Sequence, residues 1–347
     1  MLVRFKKVSP GMLACTLLIS ASASSAAKTD IQIVADLPEF YNLVAKDAHA
    51  QMITDKAVWS EGPVCASQGL FLFSDVKQNR VMSWSEKQGL KIWLSPSDFQ
   101  NGHTIDAQGR IIAASHGKRA IVRQENDGRW ITLAEKWQGK RFNSPNDVVV
   151  APDSSVWFTD PTFGLMNKAE GYGGKQEQNG EYVYRYDVVT KNVTKMNTPE
   201  VHSPNGLAFS PDGKVLYIAD TQLAHDFKNP SLAHHIVAYR VTDGGLSEGR
   251  IFAEITPGIP DGIKVDEKGN VWSSSKEGVQ VFTAQGKRIG SIKVPSENTG
   301  NLALCTSASG DKWLYVTAAN LVLRMPVKVN AGTYAQHSTL TADRKAP

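Results

Sequence analysis

The sequence predicts an all-β fold, a six-bladed β-propeller, and three observations carry that prediction. Helical periodicity is absent over any long window. Short runs of Val, Ile, Phe, Trp and Tyr alternate instead with clusters of Gly, Asp, Asn and Ser, as strands alternate with turns. A turn leading straight into an aromatic or aliphatic strand occurs six times, in SQGLFLFSD, DAQGRIIAAS, PDSSVWFTD, PDGKVLYIAD, DEKGNVWSSS and SGDKWLYVT, centred on Gly69, Gly109, Ser154, Gly213, Gly269 and Gly310. The intervals are 40, 45, 59, 56 and 41 residues, and a further strand follows each time: NRVMSW, RAIVRQ, EYVYRYD, HIVAYRV, GVQVFTA and NLVLRMPV. Six matched units at this period build small radial sheets. A β-sandwich accommodates the strands but gives no reason for six equivalent units.

Taken in chain order, residues 1–27 stand outside the fold. Arg4, Lys6 and Lys7 precede the apolar run MLACTLLIS, and the small residues ASASSAA follow. This is the layout of a secretory signal peptide, too short and interrupted to span a bilayer. Cleavage is expected near Ala23 to Ala27, which places the mature chain in the periplasm or outside the cell. Residues 28–347 then form one propeller domain. Residues 28–58 have no turn unit of their own, and AHAQMITDK reads as a strand that completes the last blade and closes the ring. The six units follow. The third is interrupted by the Gly-rich stretch TFGLMNKAEGYGGKQEQNG, a loop long enough to cover one face of the ring. The tail from about Asn330 reads as peripheral.

Charge and cysteine content narrow the function. The first 27 residues hold three basic side chains and no acidic one, so the formal net charge of +4 falls to +1 on their removal. No Lys/Arg block remains, which excludes nucleic acid and, after cleavage, the membrane surface as expected partners. Cys65 and Cys305 are the cysteines of the mature chain. In an oxidising compartment a bridge between them would tie the two ends of the propeller together, the alternative being two buried thiols. There is no HExxH or phosphate loop.

Eight residues before the first five turn centres stand Glu61, Asn101, Asn146, Asn205 and Asp261, with Asn301 the nearest match in the sixth unit. Each begins an apolar strand. If those strands are innermost, the side chains converge at one end of the central channel. Converging carboxylates and amides are costly unless satisfied. A hard divalent cation satisfies them, and so does a chain of channel waters; periodicity leaves both open. The absence of His and Cys at these positions argues against a dedicated zinc or copper site. Asp75, Asp160 and Asp220 recur at strand ends and read as structural. Trp157, Trp272 and Trp313 read as core between blades. His116, in AASHGKR, reads as standing at the same place as those Asp residues, within reach of the channel mouth.

The segments EGPVCASQGLFLFSD, NGHTIDAQGRIIAASHGKRAIVR, SPNDVVVAPDSSVWFTDPTFG, SPNGLAFSPDGKVLYIADT and IPDGIKVDEKGNVWSSS resemble, in order and register, the gluconolactonase family that includes regucalcin, and its bacterial gluconolactonase branch in particular. The resemblance spans roughly residues 55–320. It implies a six-bladed propeller with one divalent metal in the channel, held by Glu61, Asn205 and Asp261 in the EGP, PNG and PDG motifs, with Asn146 of PND beside the metal and contacting substrate or water. Ca²⁺ is the first choice of metal, with Zn²⁺, Mg²⁺ and Mn²⁺ as alternatives. The implied activity is hydrolysis of a small-molecule lactone, the metal polarising the carbonyl and Asp261 acting as general base. Asn101 and His116 are further substrate-pocket candidates. Arg141 is a candidate substrate clamp, although the run RFNSPND sets it five residues before Asn146, where family members with an Arg-Phe-Asn-Asp run have two. Rival readings are a related hydrolase of other lactones, esters or phosphotriesters, and a non-catalytic ligand-binding propeller.

Overall fold

The computed structural model describes residues 28–332, apart from 67, 68, 244 and 308. The expected signal peptide and the end of the tail lie outside the described residues. Six antiparallel sheets form, one per repeat. Blade 1 runs Ser60–Cys65, Phe71–Asp75, Arg80–Ser85 and Gly89–Leu94. Blade 2 runs Gln100–Ile105, Ile111–Ser115, Ala120–Gln124 and Trp130–Ala134. Blade 3 is Val148–Val150, Val156–Asp160, Tyr182–Tyr186 and Val193–Lys195, and blade 4 is Pro204–Phe209, Val215–Asp220, His235–Thr242 and Gly245–Glu254. Blade 5 holds Ile263–Val265, Val271–Ser275, Gly278–Phe282 and Arg288–Lys293, and blade 6 holds Asn301–Thr306, Lys312–Ala318 and Leu321–Pro326. This is the expected six-bladed propeller. Among the described residues no helix is long and apolar enough to cross a membrane.

The ring closes as the repeat count requires. Ala50–Thr54, inside the stretch AHAQMITDK, pairs with Leu321–Pro326, Met52 standing opposite Leu323. An N-terminal strand thus supplies the fourth strand of the C-terminal blade. The segment before it has a second role that the sequence does not announce: Gln32–Ala35 adds a fifth strand to blade 5 beside Arg288–Lys293. The link between the two carries Phe40 into the apolar layer between blades 5 and 6, beside Trp272 and Val316. Full burial of a side chain of this size stabilises by about 2–3 kcal/mol. Cys65 and Cys305 form a disulfide, Cα atoms 5.9 Å apart, that ties the inner strands of blades 1 and 6.

The recurrent Asp residues are structural, and the geometry shows how. Asp75 accepts from the Val58 and Trp59 amides at 2.9 and 3.0 Å and pairs with Arg80 at 2.8 Å. Asp220 accepts from the His202 and Ser203 amides, and Asp160 from that of Asn143. Each pins the loop that enters its own blade, which fixes where the inner strand begins. In blade 2 the equivalent position is Ser115, opposite Gln100 as Asp75 is opposite Ser60; His116 is one residue beyond. Trp157 meets Phe209 of the next blade edge-on at 5.7 Å, and Trp313 stacks under the Arg324 guanidinium at 4.0 Å.

Candidate metal centre and catalytic cavity

The first strand of each blade lines the axis, and the strand starts touch one another around the ring. Gly102 N–H donates to the Asn146 carbonyl at 2.8 Å, Gly206 N–H to that of Asp261 at 2.9 Å, and Gly262 N–H to that of Gly300 at 2.7 Å. The glycines permit this approach. A Cβ on Gly206 would overlap the Asp261 carbonyl oxygen, and one on Gly62 would overlap that of Asn101. Asn205-Gly206 therefore stands within an inner strand, Pro204–Phe209, and makes no hairpin turn. The Asn faces the channel, and the Gly lets the neighbouring blade come close enough to bring its own polar residue there.

Glu61, Asn101, Asn146, Asn205 and Asp261 therefore meet, all lining one cavity of about 770 Å³. Asn301 does not join them. In the sixth blade the corresponding position is Gly300, and the Glu61 carboxylate fills the space a side chain there would take. Asn301 sits one layer deeper, at the level of the ring glycines, together with Asp147. These two side chains occupy the room left by Gly262 and Gly102. Below them the Lys264 ammonium reaches in, 3.2 Å from Asn301 Oδ1, 3.0 Å from the Ile263 carbonyl and 3.8 Å from Asp147 Oδ2. Neither Asp147 nor Lys264 is singled out by the repeat offset. The available signal is that PND carries Asp where PNG and PDG carry Gly.

The electrostatics are unbalanced in one direction. Burial, and then Asp261 and Asp147 nearby, push the Glu61 carboxyl well above its usual range. Burial, and then Asp147 and Glu170, push Asp261 up to about 8. Burial raises Asp147 as well, opposed by Lys264. These shifts favour the protonated carboxyls; ionised together, Glu61, Asp261 and Asp147 would exceed the Lys264 ammonium by two negative charges. One divalent cation balances them. No group of three or more His, Cys, Asp or Glu gathers as ligands among the described residues; the donor set is mixed, two carboxylates with neutral amides. Oxygen donors of this kind fit Ca²⁺, Mg²⁺ or Mn²⁺ better than a metal that prefers nitrogen or sulfur.

The remaining sequence candidates divide. Asn101 lines the cavity, whereas His116 lies behind it, 1% exposed, with Nε2 3.2 Å from Asn101 Nδ2. Burial pushes its imidazole down to about 4, so it is neutral at physiological pH. It is buried and lies outside the cavity lining. Arg141 does not line the cavity: its guanidinium donates to the Lys118 carbonyl at 2.9 Å, and the run RFNSPND is three residues longer than Arg-Phe-Asn-Asp. The cavity walls come from loops instead. Trp59, Phe163, Leu223, Phe227 and Ile259 form apolar surface, and Thr221, Ser275 and Asn298 offer polar groups.

Residues 59–320 match the family model described as the SMP-30/Gluconolactonase/LRE-like region. The chain belongs to this family. Its relatives include a gluconolactonase from Zymomonas mobilis, 30% identical over 307 residues that cover 80% of this chain and 81% of that one. A pentonolactonase from Haloferax volcanii is 27% identical over 267 residues, covering 75% of this chain and 81% of its own. Among solved structures, a gluconolactonase from Xanthomonas campestris superposes with a TM-score of 0.79 at 34% identity, covering 88% of this chain and 98% of that one. The Xanthomonas structure thus shares the fold of this chain.

Proposed function

We propose that this protein is a divalent-metal-dependent hydrolase that opens sugar-acid lactones, with D-glucono-1,5-lactone as the reference substrate. Lactone hydrolysis is supported by the gluconolactonase and pentonolactonase relatives. The metal centre is supported by one observation of this chain, the convergence of Glu61, Asn146, Asn205 and Asp261 on one cavity, where burial disfavours both ionised carboxylates unless a cation offsets their charge.

When bound, the cation supplies a Lewis acid for the lactone carbonyl. Glu61 and Asp261 would hold it with the amide oxygens of Asn205 and Asn146. Asp261 has a second task. Its carboxylate lines the cavity, so the oxygen that does not hold the cation would take a proton from the attacking water. Asn146 and Asn101, fixed at the floor, orient the substrate ring. Phe163, Leu223 and Ile259 exclude bulk water from it. The cross-bonded Cys65 and Cys305 support export to an oxidising compartment, the periplasm or the exterior, as the site of action.

The test is acid release from the lactone after chelation and re-addition of Ca²⁺, Mg²⁺, Mn²⁺ or Zn²⁺. Asp261→Asn and Glu61→Gln are each expected to lower kcat/KM by at least about 10²-fold, the scale set by losing one preorganised catalytic group. Turnover unaffected by chelation would sink the metal role. A folded, metal-loaded protein that hydrolyses no lactone would sink the activity. A second reading has its own observation: the apolar wall of Leu223, Phe227, Pro257 and Ile259 favours lactones or esters that carry an apolar substituent.

A further inference from the structure

We infer that His116 is a positioning residue: it relays the placement of the Gly-rich loop to the metal centre by fixing which way the Asn101 and Asn146 amides point. The inference rests on the metal-centre reading above and adds a residue that touches neither metal nor substrate.

The relay starts in the loop. Glu170 presents its backbone carbonyl to His116 Nδ1 at 2.9 Å. A carbonyl only accepts, so Nδ1 carries the hydrogen. In a neutral imidazole Nε2 is then left as an acceptor. It faces two amide nitrogens, Asn101 Nδ2 at 3.2 Å and Asn146 Nδ2 at 3.5 Å. An acceptor there holds both NH₂ groups toward the histidine, so both Oδ1 atoms turn toward the cavity floor, where a cation needs oxygen. The opposite tautomer would place N–H against NH₂ and turn the amides around. The loop packs closely enough to enforce the arrangement. Gly164 lies flat against the imidazole, where a Cβ would overlap the ring, and Gly171 crosses the Gly164 carbonyl with equally little room. Supports that orient ligands in this way are worth 10- to 100-fold in metal affinity.

Two variants separate the relay from mere filling of space. Gln at 116 can place an acceptor oxygen where Nε2 stood, whereas Asn can keep a donor at the Nδ1 position and loses the acceptor. Titration of the chelated protein with Ca²⁺ and with Mn²⁺ alone, followed by calorimetry, is expected to show His116→Gln close to wild type. His116→Asn and His116→Phe are expected to be weaker by about 10- to 100-fold. Equal affinity in all four proteins, or equal loss in the Gln and Asn variants at matched Tm, overturns the relay. If the variants do not fold, ¹⁵N-histidine NMR of the wild type decides. The relay requires a neutral His116 with the hydrogen on Nδ1 at pH 7, and the Nε2–H tautomer or an imidazolium overturns it. A wild type that binds neither cation overturns the metal-centre reading instead, with the NMR result still deciding the relay.

Discussion

Lys264→Met tests the charge balance beneath the candidate centre. The ammonium is the one positive group placed within reach of Asp147, at 3.8 Å, and its side chain is about one-fifth exposed while that of Asp147 is 3% exposed. Removing one partner of a buried pair costs about 3–5 kcal/mol. At roughly 2 °C per kcal/mol for a chain of this size, Tm should fall by about 6–10 °C in chelator. The pH dependence has a definite sign. Burial already holds the Asp147 pKa above its usual value and Lys264 opposes that rise, so the variant moves it higher. A raised carboxyl pKa favours the fold below the unfolded value and disfavours it as pH climbs through the folded one. The stability loss must therefore grow as pH rises from the unfolded carboxyl value through the raised folded one. Cation binding must move the other way. With Lys264 gone, three carboxylates face the site uncompensated, so the divalent affinity rises and the cation restores part of the lost Tm. Thermal unfolding across pH, with and without Ca²⁺, reads both quantities. A variant that is destabilised but binds the cation more weakly would refute the reasoning, since Lys264 would then act by shaping the site rather than by opposing its charge.

Other expectations follow from particular contacts. Cys305→Ser removes the tie between blades 1 and 6, which spans 240 residues of sequence, and should cost about 2–5 kcal/mol by denaturant titration. Gly206→Ala forces a methyl group into the Asp261 carbonyl; an overpacking cost of about 1–3 kcal/mol is expected, and loss of cation binding at a temperature where the fold survives. A third concerns the wall of the cavity. Glu181 accepts from Ser203 and Thr162 and faces His225 at 3.5 Å. Burial pushes Glu181 up, but its hydrogen bonds with His225, Ser203 and Thr162 prevail and hold it below its usual value, while the bond to Glu181 raises His225. The Glu181 contribution is present above its unfolded pKa and fades as pH falls through the lower folded value. The His225 contribution is present below its own and fades as pH rises. His225→Gln should therefore lose most stability relative to wild type between about pH 4.5 and 6.5; a difference that is flat with pH counts against the pair.

The sequence by itself determined the architecture and most of the polar ring. Strand alternation and six turn units define the blades, because a propeller repeats one supersecondary unit and local turn chemistry marks each copy. The constant offset of eight residues from turn centre then names Glu61, Asn101, Asn146, Asn205 and Asp261, because an equal run of chain between axis and turn carries equal positions to the axis. The offset fails at Asn301, where blade 6 has Gly300 at the axis and places the amide a layer deeper. Gln32–Ala35 joins blade 5 through long-range pairing that no turn signal marks. What only the tertiary structure decided are the relations between blades. Asp147, Asn301 and Lys264 meet under the ring although they come from blades 3, 6 and 5. His116 becomes a support because a loop from blade 3 offers it a carbonyl. Arg141 is held by the Lys118 carbonyl instead of lining the cavity, in a run three residues longer than Arg-Phe-Asn-Asp. Periodicity records which face of its own strand a side chain occupies. Whether it meets a carboxylate, an amide or a carbonyl depends on how neighbouring blades and loops close around the axis, and that closure is set by packing between segments distant in sequence.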